Sequence, residues 1–215
     1  MTIYTATKTL LPDTKITITQ EDLDLDNSSG LIVGENWSFK NLTTFTLISS
    51  SNAGANAIAR EAQNQSQINF VSQMNETAKQ LGLQNSFFRD VTGLDIQEHT
   101  TSGADSTAQD VAHLYAYILN NNPELLADTN KNFISISSLD NIKHVVTNTN
   151  EIISQIPALI SSKTGTTDLA GGNLAILFNP IKNYPVAIVL LGGTPQGRFV
   201  DMGKLVRDTI RVVEQ

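Results

Sequence analysis

Two short clusters in the 215-residue sequence hold side chains suited to acyl transfer: Lys163-Thr164-Gly165-Thr166, just ahead of a glycine-bounded apolar run, and Ser50-Ser51-Asn52, which opens a small-residue segment. At a strand end Lys163 supplies an ammonium and Thr164 a hydroxyl, and Gly165 has no Cβ to keep a ligand backbone from lying along the strand as an added one. Lys163 and Thr164 can bind a carboxylate there through charge-assisted hydrogen bonds. In the Ser-x-Asn of Ser50 and Asn52, the hydroxyl can relay a proton to a leaving amine while the amide orients a carbonyl and a lysine. Each cluster alone has a plainer reading, since Ser and Asn cap helices and Lys-Thr-Gly can close a surface strand. Together, in this order and each at an element boundary, they favour a site. Ser-x-x-Lys, the nucleophile motif that accompanies this pair in serine acyl-transfer enzymes, occurs nowhere in the sequence.

The elements that must position these residues are legible in part. Ile16 and Ile18 alternate with threonines as in a short strand, and Leu31-Ile32-Val33 follows a polar turn from Asp26 to Gly30. Asn41 is expected to cap a helix through Ser49. A second helix, Asn52 to about Gln63, carries Ala53, Ala55, Ala57, Ala59 and Ala62, so neighbours can approach it closely at the centre of a helical lobe. Phe70, Met74, Ala78 and Leu81 recur at helical spacing before Gly82, a left-handed stop. Ser106 to Gln109 matches a capping box for a helix running to Asn121-Asn122-Pro123. Strands are expected at Leu159 to Thr164, Gly172 to Phe178 and Val186 to Leu191, followed by an amphipathic helix from Phe199 to Val213. The fold class is α+β, a helical lobe packed on a mostly antiparallel sheet, in a single domain over residues 1–215.

Hydrophobic residues make up 40% of the chain and charged residues 16%, as in an ordinary globular protein. A net charge of −7, with 14 scattered basic residues, argues against nucleic acid as a partner. There is no cysteine, the spacing of His99, His113 and His144 fits no metal motif, and no cofactor is called for. No apolar stretch is long enough to span a membrane, and the first residues do not read as an export signal. His99 beside Glu98, and Asp110 near His113, read as surface polar pairs, Gly192-Gly193 as a turn, and Trp37 and Phe39 as lobe packing.

The chain resembles the serine D-alanyl-D-alanine carboxypeptidases, the low-molecular-mass penicillin-binding proteins that trim peptidoglycan stem peptides. The likeness is collinear from about Thr14 to the C-terminus. It runs through Ser50-Ser51-Asn52, Asn85 to Phe88 with Thr92-Gly93-Leu94-Asp95, Ser106 to Asp110, Thr147 to Asn150, Lys163 to Thr167 with Ala170-Gly171, and Arg198 with Asp201. Ala53 and the Val91-Thr92 pair depart from the family pattern at packing positions.

The resemblance implies a β-lactamase/DD-peptidase-like fold and reaction through an acyl-enzyme. Ser50 would be the proton relay, and Asn52 and Lys163 the substrate and electrostatic partners. Thr164, Gly165, Thr166 and Arg198 would line the substrate, with D-Ala-D-Ala peptides and β-lactams as partners and the bacterial cell envelope as the location of the parent protein. It also places Ser-x-x-Lys just before a helix whose continuation Met1 to Ala6 resembles, so the N-terminal strands and the nucleophile are expected to be missing and the chain to be inactive. Thr5-Ala6-Thr7-Lys8 has the spacing of a threonine substitute but falls inside that helix. The alternatives are a non-catalytic pseudoenzyme that binds peptidoglycan peptides and a β-lactamase-like hydrolase; no loop supplying a deacylating glutamate is recognisable for the latter.

Overall fold

A computed structural model describes residues 1–24, 29–97 and 99–214, so Asp26, Asn27 and Ser28 of the expected turn, and Glu98, lie outside the described residues. Helix α1 (Thr2–Ala6) is buried along Ile3 to Ala6. Strand β1 (Lys15–Thr17) is followed by the short helix α2 (Gln20–Leu23) and pairs antiparallel with β2 (Asn36–Ser38), with Ile16 opposite Trp37. Leu31-Ile32-Val33 forms the loop into β2 rather than a strand.

Helix α3 (Phe39–Ser49) starts three residues earlier than a cap at Asn41 predicts. Its cap is Ser38, whose hydroxyl accepts from the Asn41 amide at 3.2 Å, because Phe39 is drawn into the core and takes the first helical position. Asn41 instead donates its side chain to the Ser137 carbonyl. Helix α4 (Asn52–Ser66) is the centre of the lobe, packed by α1, α2, α3 and β1, with Ala53, Ala57 and Ala62 fully buried. α5 (Phe70–Gln80) packs beside it and closes before Gly82, which holds φ +74°.

Two residues each in β3 (Phe87–Phe88) and β4 (Ala104–Asp105) pair antiparallel ahead of α6 (Ala108–Asn121). The cap of α6 is Thr107, one residue later than the expected capping box, and it accepts from the Asp110 amide at 3.1 Å. Ser106 bonds Ser86 instead, and the buried Asp110 carboxylate accepts from the Asn85 amide and the Ser86 hydroxyl. Asp110 thus ties the Asn85–Ser86 segment to α6 rather than forming an acid–base pair with His113.

A hairpin absent from the sequence reading, β5 (Phe133–Ser137) with β6 (Lys143–Thr147), lies over α3. Ile134 and Val146 face the lobe, but Phe133 and Val145 are exposed, so apolar residues on both faces blur the two-residue period.

The main sheet runs β7 (Leu159–Thr167), β8 (Gly171–Ile181), β9 (Tyr184–Gly193), all antiparallel and in chain order. Alternate β8 residues serve opposite faces. Ala175 and Leu177 join Leu114, Tyr115 and Ile118 of α6, while Leu174, Ile176 and Phe178 meet Phe199, Met202 and Val206 of α7 (Gly197–Val213). The Gly192-Gly193 pair ends β9 rather than making a free turn, with Gly193 opposite Gly172.

Candidate active site

β7 is an edge of the sheet and faces the end of the lobe where α3 meets α4. Ser50 forms that junction at φ +55°, ψ +42°, a left-handed conformation uncommon for a side chain with a Cβ. The next residue, Ser51, caps α4 through the Gly54 amide at 3.1 Å. The cap reading therefore belongs to Ser51, which leaves the hydroxyl of Ser50 to the cleft. There it accepts from Lys163 Nζ at 2.6 Å, across 113 positions of sequence.

Lys163 also donates to the Thr164 carbonyl at 2.7 Å. Burial, and secondarily the positive charge of Arg198, push its ammonium down to about 8. Thr164 is buried and exchanges a hydrogen bond with the Thr149 hydroxyl. Arg198, from the first turn of α7, donates Nη1 to the Gly165 carbonyl at 2.7 Å and to the Thr166 hydroxyl, with its guanidinium over the Phe199 ring. Asp201 is not its partner: that carboxylate accepts from Lys204 on the outer side of α7.

All seven side-chain and backbone positions expected to form the site, Ser50, Asn52, Lys163, Thr164, Gly165, Thr166 and Arg198, line one cleft of about 680 Å³. Met1 and Thr2 of α1 also line it, as do Val91 to Leu94, Thr149 and Asn173. Asp95, not singled out as a site residue, holds the turn beyond β7. One carboxylate oxygen accepts from the Thr167 hydroxyl and the other from the Leu169 amide, each at 3.0 Å. The Gly-Leu-Asp run was visible in sequence, but its long-range partners were not. Thr5 and Lys8 do not make a second dyad: the buried Thr5 hydroxyl points to Met1 Sδ, and Lys8 donates to Gln80 at the surface.

Residues 1–194 match the family described as D-alanyl-D-alanine carboxypeptidase. The chain belongs to the D-alanyl-D-alanine carboxypeptidase family. A D-alanyl-D-alanine endopeptidase of Haemophilus influenzae is 29% identical over 188 residues, covering 85% of this chain and 61% of that protein. A D-alanyl-D-alanine carboxypeptidase of Bacillus subtilis is 29% identical over 174 residues, covering 80% of this chain and 43% of that protein. The chain thus spans less than two thirds of the length of either relative.

Among solved structures, penicillin-binding protein D2 of Listeria monocytogenes in its ampicillin-bound form superposes with a TM-score of 0.78 at 26% identity, covering 96% of this chain and 83% of that one. The Streptomyces K15 DD-transpeptidase gives a TM-score of 0.81 at 21% identity, covering 96% and 84%, and shows the shared fold. The carboxypeptidase family's α+β architecture is therefore present here, with the cleft between lobe and sheet edge.

Proposed function

We propose that the cleft recognises the D-Ala-D-Ala end of peptidoglycan stem peptides, and β-lactams that imitate it, in the bacterial cell envelope. The observation that supports this most is the convergence of three separate stretches, at Ser50, Lys163 and Arg198, on the open edge of β7. A peptide laid along that edge gains backbone hydrogen bonds as an added strand, and Gly165 leaves room for its approach. Lys163, Arg198 and Thr166 provide the donors for its terminal carboxylate. Asn52, at the start of α4, orients the peptide carbonyl, and Ser50 passes a proton between Lys163 and the leaving amine.

In the family's acyl-transfer reaction these groups serve a Ser-x-x-Lys nucleophile, which the 215 residues do not contain. Removing the nucleophile from a serine hydrolase costs about a millionfold in turnover. Turnover therefore depends on a nucleophile of that kind, and the reading proposed for these residues themselves is recognition of the peptide. Nothing in the cleft favours the β-lactamase reading.

Calorimetric titration with a stem peptide ending in D-Ala-D-Ala tests this. Saturable binding is expected, weakened at least tenfold in Lys163→Ala and in Arg198→Ala; undiminished binding in both variants would overturn the assignment. A second arm adds a helical turn bearing Ser-x-x-Lys directly before Met1. Restored D-Ala release by that version, and none by a Ser→Ala copy of the added motif, is the expected result.

A further inference from the structure

A second groove, of about 470 Å³, shares no lining residue with the cleft. Lys40, Asn41 and Thr44 of α3 form one wall and β5 the other, with Asp128 and Lys131 in the turn ahead of β5. The register of the hairpin fixes which backbone groups β5 offers there. The Asn148 amide donates to the Asn132 carbonyl at 2.8 Å and the Ser138 amide to the Ile142 carbonyl at 3.0 Å, and between them Ile134 stands opposite Val146 and Ile136 opposite His144. Bonded pairs of an antiparallel ladder recur at every second residue, so the even-numbered residues of β5 bond β6.

Phe133, Ser135 and Ser137 therefore turn their N–H and C=O groups away from β6, along the outer edge of the hairpin. The position of α3 against that edge is fixed by one contact, since the Ser137 carbonyl accepts from the Asn41 side-chain amide at 3.0 Å. The amides and carbonyls of Phe133 and Ser135 have no protein partner among the described residues. An extended peptide laid along the edge can take up all four as an added strand.

Charge and side-chain alternation say which peptide. Two ammonium groups, from Lys40 and Lys131, line the groove against the single carboxylate of Asp128, although the chain as a whole carries −7. Lys40 has no ion-pair partner among the described residues, and the Lys131–Asp128 pair has both side chains more than a third exposed, so it yields readily to another carboxylate. Successive side chains of an added strand point to opposite faces. One set would lie over Phe133, which is 65% exposed on the outer face of the hairpin, and the other would turn toward α3 and Lys40. The fitting sequence thus alternates apolar and acidic residues. A second copy of this same edge fits poorly, because it would bring Lys40 and Lys131 against their own counterparts.

We propose that the outer edge of β5 and the adjoining face of α3 form a docking groove for an extended acidic segment of a partner protein, which adds a third strand to the β5–β6 hairpin and sets its carboxylates on Lys40 and Lys131. The groove acts apart from the cleft, so the two sites bind independently.

The test is fluorescence anisotropy of the labelled peptide Thr-Glu-Val-Glu-Val-Glu-Thr with the whole chain, beside the control Thr-Lys-Val-Lys-Val-Lys-Thr. Saturable binding of the glutamate peptide is expected, at least tenfold tighter than that of the control and weakening with added salt. Lys40→Glu combined with Lys131→Glu should weaken it at least tenfold. So should Ser135→Pro, which deletes an outward amide and sets a ring on the edge without removing a bond to β6. A glutamate peptide N-methylated at its five central residues tests the same backbone bonds without altering the protein, and should bind at least tenfold more weakly. Titration with the stem peptide ending in D-Ala-D-Ala should be unchanged in the double lysine variant.

No binding of the glutamate peptide at millimolar concentration, or equal binding of the lysine control, overturns the proposal. So does undiminished binding in the double lysine variant or by the N-methylated peptide. Competition by the stem peptide would also overturn it, by placing the acidic peptide in the cleft.

Discussion

At residue scale, Ser50 and Lys163 each hold a state that costs folding energy. The left-handed backbone of Ser50 costs roughly 1 kcal/mol that glycine would not incur. Ser50→Gly is therefore expected to raise stability by up to about 1 kcal/mol; thermal unfolding shows it, and a loss of stability would mean that the hydroxyl has a structural role. Lys163 binds a proton less readily in the folded chain, near 8, than its ordinary 10.5. The unfolded chain thus carries the additional proton between these values, and stability rises with pH across that window. Below it the buried ammonium costs about 2 kcal/mol, discounted from the full shift because the side chain is only half-buried in an open cleft. Lys163→Met should be more stable than the parent at pH 7, with the difference shrinking toward pH 10.5. Equal pH dependence of the two in urea unfolding would contradict a depressed lysine. The residues of this pair were readable from motif and order, since Lys-Thr-Gly and Ser-x-Asn are local strings. Their contact was not, because 113 positions separate them and only the packing of β7 against the α3–α4 junction brings them together.

The α3–α4 junction is itself set by Gly54. A Cβ there would lie 2.1 Å from the Thr46 hydroxyl oxygen on α3, inside any tolerable contact. That hydroxyl is buried with no hydrogen-bond partner. Gly54→Ala is expected to destabilise by about 1–3 kcal/mol through overpacking, and Thr46→Ala alone to be near neutral because it deletes an unsatisfied polar atom. In the double variant the two effects should be strongly non-additive, with most of the loss recovered; additive losses would show that the crowding is not at this contact. At the other end of the cleft, Asp95→Ala should free the turn after β7 and weaken stem-peptide binding severalfold, with Asp95→Asn keeping part of it through one accepting oxygen. Equal affinity in all three forms would remove Asp95 from the positioning of β7. The alanine-lined α4 and the α5 stripe ending at Gly82 were legible from period, and the three long strands from their apolar runs bounded by turn residues, β8 being buried on both faces. Boundaries moved where a neighbouring polar residue took the cap, as Ser38 did from Asn41 and Thr107 from Ser106. The β5–β6 hairpin was missed because Phe133 and Val145 face outward, so its pattern carries no single buried face.

Across the whole molecule, one apolar cluster links Tyr4 of α1 and Ala78 of α5 with Leu114 of α6 and with Ala175 and Leu177 of β8. A core shared between lobe and sheet favours their unfolding together as one domain. The sheet nevertheless ends at β9, which has no further strand among the described residues. From Tyr184 to Gly193 the strand carries no charged residue, and Tyr184 and Leu191 are exposed. Long uncharged edges offer unpaired backbone groups to any other strand, and natural sheets usually block them with charge, proline or a covering element. Pro185 protects only the first residues of β9. Self-association through antiparallel β9–β9 pairing is therefore expected to grow with concentration, despite the chain's net charge of −7. Sedimentation velocity at increasing concentration should show it, and Leu191→Lys, placing an ammonium on the exposed part of that edge, should suppress it without altering stem-peptide binding in the cleft on the opposite side of the sheet. Because β7 and β9 are the two outer strands of a three-stranded order, the proposed ligand capture and the expected association would use different edges of the same sheet. Association that persists unchanged in Leu191→Lys, or that is competed by the stem peptide, would place the contact on β7 and make the cleft itself the interface.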